Sequence, residues 1–277
     1  DISIEKRKTP ICDVPPMNKG SQPTDGGNLL LSAAEREQLI AAHPDLSPYI
    51  KRYMGADDLI NGKMRYCLWL KDCPANVMNA SAEVMRRLEC VRQSRLSSRK
   101  AATRAWADRP HLFTEDRQPD RDYIMLPVVS SSIRRYVPID YVSREVIANA
   151  NAQMLPDADL FHFGVLMSSV HNAWLRAVCG YLGTSCAYSA TIVYNNFVWC
   201  APSPAIEKTA ARILEVRRQF QNQSLASLYD EETMPDDLRA AHIENDNAVL
   251  DAYGFDHELS EAEIVSRLMS LYQHLTT

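Results

Sequence analysis

The chain has 277 residues, of which 46% are apolar and 23% charged, with a formal net charge of −5; this is the balance of a globular protein of one or two domains, not of a disordered, fibrous or membrane chain. No window approaches the roughly 18 uninterrupted apolar residues that a membrane helix needs. The seven cysteines (Cys12, Cys67, Cys73, Cys90, Cys179, Cys186, Cys200) are odd in number and never spaced Cys-x-x-Cys, which argues against a disulfide framework or a zinc knuckle and for a reducing cytoplasm.

The start, Asp1-Ile-Ser-Ile-Glu-Lys-Arg-Lys8, lacks an initiator Met and the apolar centre of a signal peptide, which suggests a piece of a longer protein. Residues 1–28 are rich in Pro, Gly, Asn and Asp and read as a linker or wrapped loop, so the ordered fold is expected to start near Leu29. Ser32-Ala-Ala-Glu35 is a capping box before a short helix, and Ser47-Pro48 starts a second helix that Gly55 stops. Asn61-Gly62 marks a turn, after which Lys63 to Leu70 alternates as a strand. From Ser81 to about Trp106 the period is helical, with Val84, Leu88 and Val91 on one face and a basic stripe of Arg92, Arg95, Arg99, Lys100 and Arg104 on its second half.

Tyr123 to Val129 and Arg135 to Ile139 read as two strands joined by the polar connection Ser130 to Arg134, with Pro127 and Pro138 demoting both to edge or bulged strands. His162 to Tyr181 reads as one buried helix ending at Gly180 or Gly183, and Tyr188 to Trp199 as a further strand. The character then changes to three capped helices. The first starts at Ser203-Pro204, the second at Pro235 and closes at Gly254, and the third follows the box Ser260-Glu-Ala-Glu263. The fold class is therefore α+β, a mixed α/β domain over 21–200 followed by a small all-α domain over 201–277.

Charge is uneven along this order. Residues 50–136 carry 17 basic and 10 acidic groups, whereas 200–277 carry 6 and 14. One basic block in an acidic protein is what a localised polyanion-binding surface looks like, although solvated helix faces would give the same count. The chemistry of catalysis is missing. No G-x-G-x-x-G, P-loop or Gly-x-Ser-x-Gly elbow occurs, no Cys sits in a nucleophile motif, and the seven histidines form no ligand pair, so no metal is expected.

A binder remains, and duplex recognition needs two layers, cations on phosphates and polar or arginine side chains on base edges. Arg92, Arg95, Arg99, Lys100 and Arg104 are candidates for the first; Ser130, Ser131, Ser132, Arg134 and Arg135 on a protruding connection are candidates for the second. Lys63, Arg65, Tyr136, Asn195 and Asn196 complete the candidate DNA-binding set. A docking module whose acidic helical tail meets a partner without touching DNA is the alternative from another class, and a hydrolase with a hidden Cys or His nucleophile is the weakest.

Several ordered motifs together resemble one family. They are Asp25-Gly-Gly-Asn-Leu-Leu-Leu-Ser32, Ile60 to Leu70, the R-x-x-S-x-x-x-x-T run from Arg95 to Thr103, Tyr136-Val-Pro-Ile139, Phe163-Gly-Val-Leu166 with His171 and Trp174, and Tyr194-Asn-Asn-Phe-Val-Trp199. In the tail, Leu228-Tyr-Asp230, Met234 to His242 and Tyr253-Gly254 continue the match. The run resembles the region after the catalytic domain in MmeI-like DNA methyltransferases of restriction-modification systems. The resemblance implies a target recognition domain over 21–200, a C-terminal helical domain over 201–277, and residues 1–20 as the linker from an upstream catalytic domain. It implies duplex DNA as partner and adenine methylation with S-adenosylmethionine in that upstream domain, with no cofactor in this chain. Asn195-Asn196-Phe197 lacks the prolines of the family's catalytic Asn-Pro-Pro motif and reads as a strand end or turn. Two departures bear on target choice. Gly183 to Ser189 stands where the family usually has a Lys-Ser-Asp-x-Arg-Tyr-Ser-like run, with Val198 in place of the usual Pro, and Ser132 stands where relatives often carry an acidic residue before the arginines.

Overall fold

The chain joins the fold well before Leu29. In the computed structural model, which describes residues 3–277, Asn18–Lys19 form a strand (β1) and Met17 and Ser21 are buried. The expected linker is thus a strap over the molecule. Asp1 and Ile2 of that linker lie outside the described residues. Gly20 is needed where the strap passes residue 149, because a Cβ there would lie 2.2 Å from the Asn149 carbonyl oxygen.

Strand β2 (Leu30–Ser32) runs into α1 (Ala33–Ala42) through the expected capping box: Glu35 N donates to Ser32 Oγ (3.2 Å) and Ser32 N to the Glu35 carboxylate (2.7 Å). The helix expected over 47–55 is absent. A 3₁₀ turn (Pro44–Tyr49) leads instead into β3 (Ile50–Met54). Burial of Ile50, Tyr53 and Met54 in an inner strand outweighs the local helix signal at Ser47-Pro48. Helix α2 (Ala56–Asn61) ends on Gly62 at φ 66°, and β4 (Arg65–Leu68) is the strand the alternation predicts. Helices α3 (Ala75–Asn79), α4 (Ala82–Leu96) and α5 (Ala101–Arg104) follow. The single helix expected over 81–106 is broken because Ser97 Oγ donates to Ser94 O (2.9 Å) and Ser98 Oγ accepts from Lys100 N (3.2 Å), local bonds that compete with the helix ladder.

Strand β5 (Tyr123–Pro127) is wholly buried, and β6 (Val129–Ser131), β7 (Asp140–Val142), β8 (Val146–Ala148) and β9 (Ala152–Leu155) follow it. The expected 123–139 hairpin of edge strands is not formed. β5 is an inner strand in the order β1-β9-β5-β7, with Pro127 at its last position where a missing N–H does little harm. Residues 135–139 form no strand. The other large sheet has the order β2-β4-β3-β8, with β8 parallel to β3.

The helix expected over 162–181 is two, α6 (Leu160–Leu166) and α7 (Ser169–Val178), parted at Ser168, which caps α7 by accepting from His171 N (3.2 Å). Strands β10 (Gly180–Leu182) and β11 (Ser185–Ala187) turn at Gly183, φ 60°, and make a small sheet β10-β11-β6. The strand expected over 188–199 is a π turn (Ala190–Tyr194) and a buried irregular run, because Tyr194, Phe197 and Trp199 fill space between helices instead of pairing.

The tail has the expected helices α8 (Pro204–Arg217), α10 (Asp236–Tyr253) and α11 (Glu261–Thr276), with a short α9 (Leu225–Leu228) between the first two. It shares a core with the sheet. One apolar cluster joins Ile124 and Leu126 of β5, Phe163 and Trp174 of α6 and α7, and Ile213, Val249 and Leu268 of the tail. A second cluster, from Leu29 to Phe113 with Ile147, sits under the β2-β4-β3-β8 sheet.

Candidate nucleic-acid interface

Val84, Leu88 and Val91 of α4 point inward, and the same spacing of three and four puts Arg95 on that inward face. Arg95 is 1% exposed. Its Nε donates to Thr24 O (2.9 Å), Nη1 to Trp106 O (3.0 Å) and Arg109 O (2.9 Å), and Nη2 to Pro23 O (2.9 Å) and Leu112 O (2.7 Å). Five donors in a rigid fork meet five carbonyls, and none is left for a phosphate. The expected DNA contact by Arg95 is therefore corrected to an internal clasp. Burial lowers its pKa and Asp25 opposes that shift, but a guanidinium stays charged throughout the physiological range.

The clasp fixes the turn from 97 to 112, and that turn presents cations outward. Among the described residues Arg99 and Lys100 are exposed and enter no ion pair, while Arg104 Nη1 donates to Ser98 O (2.8 Å). The Arg109 guanidinium lies 3.9 Å from the centre of the Trp106 ring. Arg92 is partly neutralised, 3.6 Å from Glu89 and 3.8 Å from Asp108. The predicted stripe is thus a compact group of cations on a pinned turn. Arg109 and Trp106 belong to it without having been singled out in the sequence; the signal was a cation three residues after a tryptophan, beyond the helical period.

The second layer is rearranged as well. Ser130 is buried in β6 opposite Cys186, so it is removed from any base-reading role. Ser131 and Ser132 are half-buried, and Ser132 Oγ donates to Thr184 O (2.6 Å). Arg134 is half-buried and its Nη1 donates to Ala226 O (3.2 Å). Arg135 is exposed, with Nη2 4.0 Å from Asp246 and its guanidinium 5.5 Å from the Tyr136 ring. Tyr136 itself is buried and donates to Asp246 (2.5 Å), so it holds the loop's base and does not reach solvent.

Behind this loop lies a cleft of about 790 Å³ lined by Arg134, Arg135, Arg176 and Asp246. Burial pushes Asp246 up to about 6, against the two hydrogen bonds from Tyr136 and Ser169 N. The same cause pulls His242 and His171 down to about 3, so both are neutral, one bonded to Tyr229 Oη (2.8 Å) and the other to Tyr188 Oη (2.8 Å).

The remaining candidates have internal partners. Lys63 pairs with Asp57, and Arg65 forms a fork on Asp58 through Nε (2.7 Å) and Nη2 (2.5 Å). Asp58 is 1% exposed and also accepts from Gly55 N (2.8 Å), so Arg65 serves a buried carboxylate and its expected DNA contact is corrected. Asn195 and Asn196 are buried and tie down the N-terminal strap. Asn195 Nδ2 donates to Arg7 O (2.8 Å), and Asn196 takes Arg7 Nε on Oδ1 (2.9 Å) and donates to Glu5 O (2.9 Å). They are latches, not base readers. Among the described residues no three His, Cys, Asp or Glu side chains gather as a metal site, and no helix is long and apolar enough to cross a membrane.

Comparison with known proteins accounts for the whole chain. The family description "MmeI, target recognition domain" matches residues 1–201, and "MmeI, C-terminal domain" matches residues 201–277. DNA methyltransferase A of Bacillus subtilis (strain 168) is 33% identical over 284 residues, covering 100% of this chain and 32% of that protein. A solved structure of the Type IIL restriction-modification enzyme MmeI in complex with DNA superposes with a TM-score of 0.94 at 39% identity, over 100% of this chain and 37% of that one. The chain thus spans about a third of the length of each relative. It belongs to the MmeI target recognition domain family and carries that family's C-terminal domain after it.

Proposed function

We propose that this chain is the duplex-DNA recognition part of a bacterial adenine-specific DNA methyltransferase of a restriction-modification system. It holds the target site so that a catalytic domain upstream in the same polypeptide flips one adenine out of the stack and methylates it. S-adenosylmethionine is the methyl donor of that upstream domain, and no residue here is assigned to it. The observation that carries the reading is the group Arg99, Lys100, Arg104 and Arg109 on a turn clasped by Arg95. Among the described residues these cations are exposed, enter no ion pair, and are carried by a turn that Arg95 holds in register, which is what phosphate contacts need. The likeness, over the whole of this chain, to about a third of an enzyme solved with DNA supports it. Arg135 with Ser131 and Ser132 forms the base-reading edge.

Fluorescence anisotropy with a pool of random duplexes at low and moderate salt tests this. Each phosphate contact contributes a slope of about 0.9 in log K against log salt. Arg99→Glu with Lys100→Glu lowers the slope by about two such contacts and weakens all duplexes alike. Salt-independent or absent binding, by the chain and by the full-length polypeptide alike, overturns the reading.

A further inference from the structure

The tip after β6 is a β-turn from Ser131 to Arg134, closed by Arg134 N on Ser131 O (3.3 Å), with Ile133 as its third residue. Ile133 is 80% exposed, the highest exposure of any large apolar side chain among the described residues. Its φ is negative, so the turn makes no demand for Gly or Asn at this position and tolerates isoleucine without calling for it. Ile133 packs into none of the apolar clusters; it lines the cleft behind the loop and is otherwise in solvent.

Its surroundings suit an approach to a base-pair edge. Directly paired residues share a face of an antiparallel ladder, so Ser131, Ser185 and Leu182 form one outward row beside the tip, while Ser130 and Cys186 face inward. The outward row is uncharged, two serines and Leu182, the last 63% exposed. The cation Arg135 stands two residues further on, exposed. The turn is short and held back, by Ser132 N (3.1 Å) and Oγ (2.6 Å) on Thr184 O and by Arg134 on Ala226 O. At its tip this held turn presents Ile133 to solvent, with Leu182 and Arg135 exposed on either side.

We propose that Ile133 reads the C5-methyl group of a thymine in the major groove of duplex DNA, an apolar contact that discriminates thymine from the other three bases at one position of the target. This rests on the DNA-recognition reading above and adds a base identity to it.

The test uses the full-length polypeptide and the duplex it selects from a random pool. Each thymine in that duplex is replaced in turn by deoxyuridine, which removes the methyl group and keeps the pairing. One replacement is expected to lower affinity about fourfold, the worth of one buried methyl. Ile133→Ala bound to the parent duplex loses a similar factor and becomes indifferent to that replacement. Since Ile133 is at the surface, its circular dichroism spectrum stays that of the parent. The proposal is overturned if the selected site holds no thymine, if no replacement matters, or if I133A keeps the same sensitivity. In those cases the salt slope of the parent still reports DNA binding, whereas a parent with no salt-dependent binding loses the underlying reading and this one with it.

Discussion

Replacing Arg95 by Met keeps the alkyl stem and removes the fork. Five carbonyl oxygens, of Pro23, Thr24, Trp106, Arg109 and Leu112, then lose their donors. A buried acceptor left without a partner costs about 1–3 kcal/mol. The three on the 104–112 turn can rehydrate once that turn comes loose, so the full sum is not reached. A loss of about 3–5 kcal/mol is expected, a large fraction of the ordinary stability of a domain, about 5–15 kcal/mol. Urea unfolding measures it. Hydrogen exchange shows where it falls, with amides of 97–112 exchanging faster at denaturant concentrations where the sheets remain protected. Arg99→Met is the control: it stays within about 0.5 kcal/mol of the parent and yet weakens duplex binding. If R95M is as stable as R99M, Arg95 is not a clasp and the argument for a pinned cation group fails.

Acid should weaken the fold through two histidines. His171 and His242 sit at about 3 when folded against an ordinary 6.5, so the unfolded chain binds more protons between those values. Their contribution is complete above about pH 6.5 and is lost as pH falls toward 3. Asp246, raised to about 6 from 3.8, acts oppositely, its contribution fading as pH rises through that interval. Two groups outweigh one, so the unfolding midpoint falls from pH 6.5 to 4, and Asp246→Asn makes the fall steeper; a flat profile in both proteins contradicts the burial of these groups. Gly164→Ala puts a Cβ 2.6 Å from Ile206 Cγ2 and 3.0 Å from Asn245 Oδ1, and is expected to cost about 1–3 kcal/mol in thermal unfolding by prying α6 from α8. Asn196→Leu removes the latch on Glu5 and Arg7, so trypsin should cut at Arg7 and Lys8 several times faster while the far-ultraviolet circular dichroism is unchanged. Equal cleavage rates would mean that the strap is held by other contacts.

What the sequence alone determined is what is encoded within a turn or two of the chain. Ser32 with Glu35, Ser260 with Glu263, and Gly62 and Gly254 at helix ends act on neighbours three or four residues away, and each stands where local chemistry puts it. The alternation around β4 is equally local. The tail helices were legible for the same reason, but not that they share a core with β5, since that depends on which faces meet.

Only the tertiary structure decided the rest. β1 pairs with β9 across more than a hundred residues, and β6 finds β11 in place of a hairpin partner, because burial and ladder bonds gained at a distance outweigh local propensity. The candidate site divides along the same line. Arg95, Arg65, Asn195 and Asn196 are polar residues that sequence reasoning assigns to DNA by composition, yet each is bonded to a carbonyl or carboxylate of the protein itself, on a distant segment for all but Arg65, whose Asp58 is seven residues away. Arg95 could have been suspected, since it lies four residues after Val91 on the apolar face of its own helix. The carbonyls that hold it there belong to two loops, 23–24 and 106–112, and no spacing within α4 announces them.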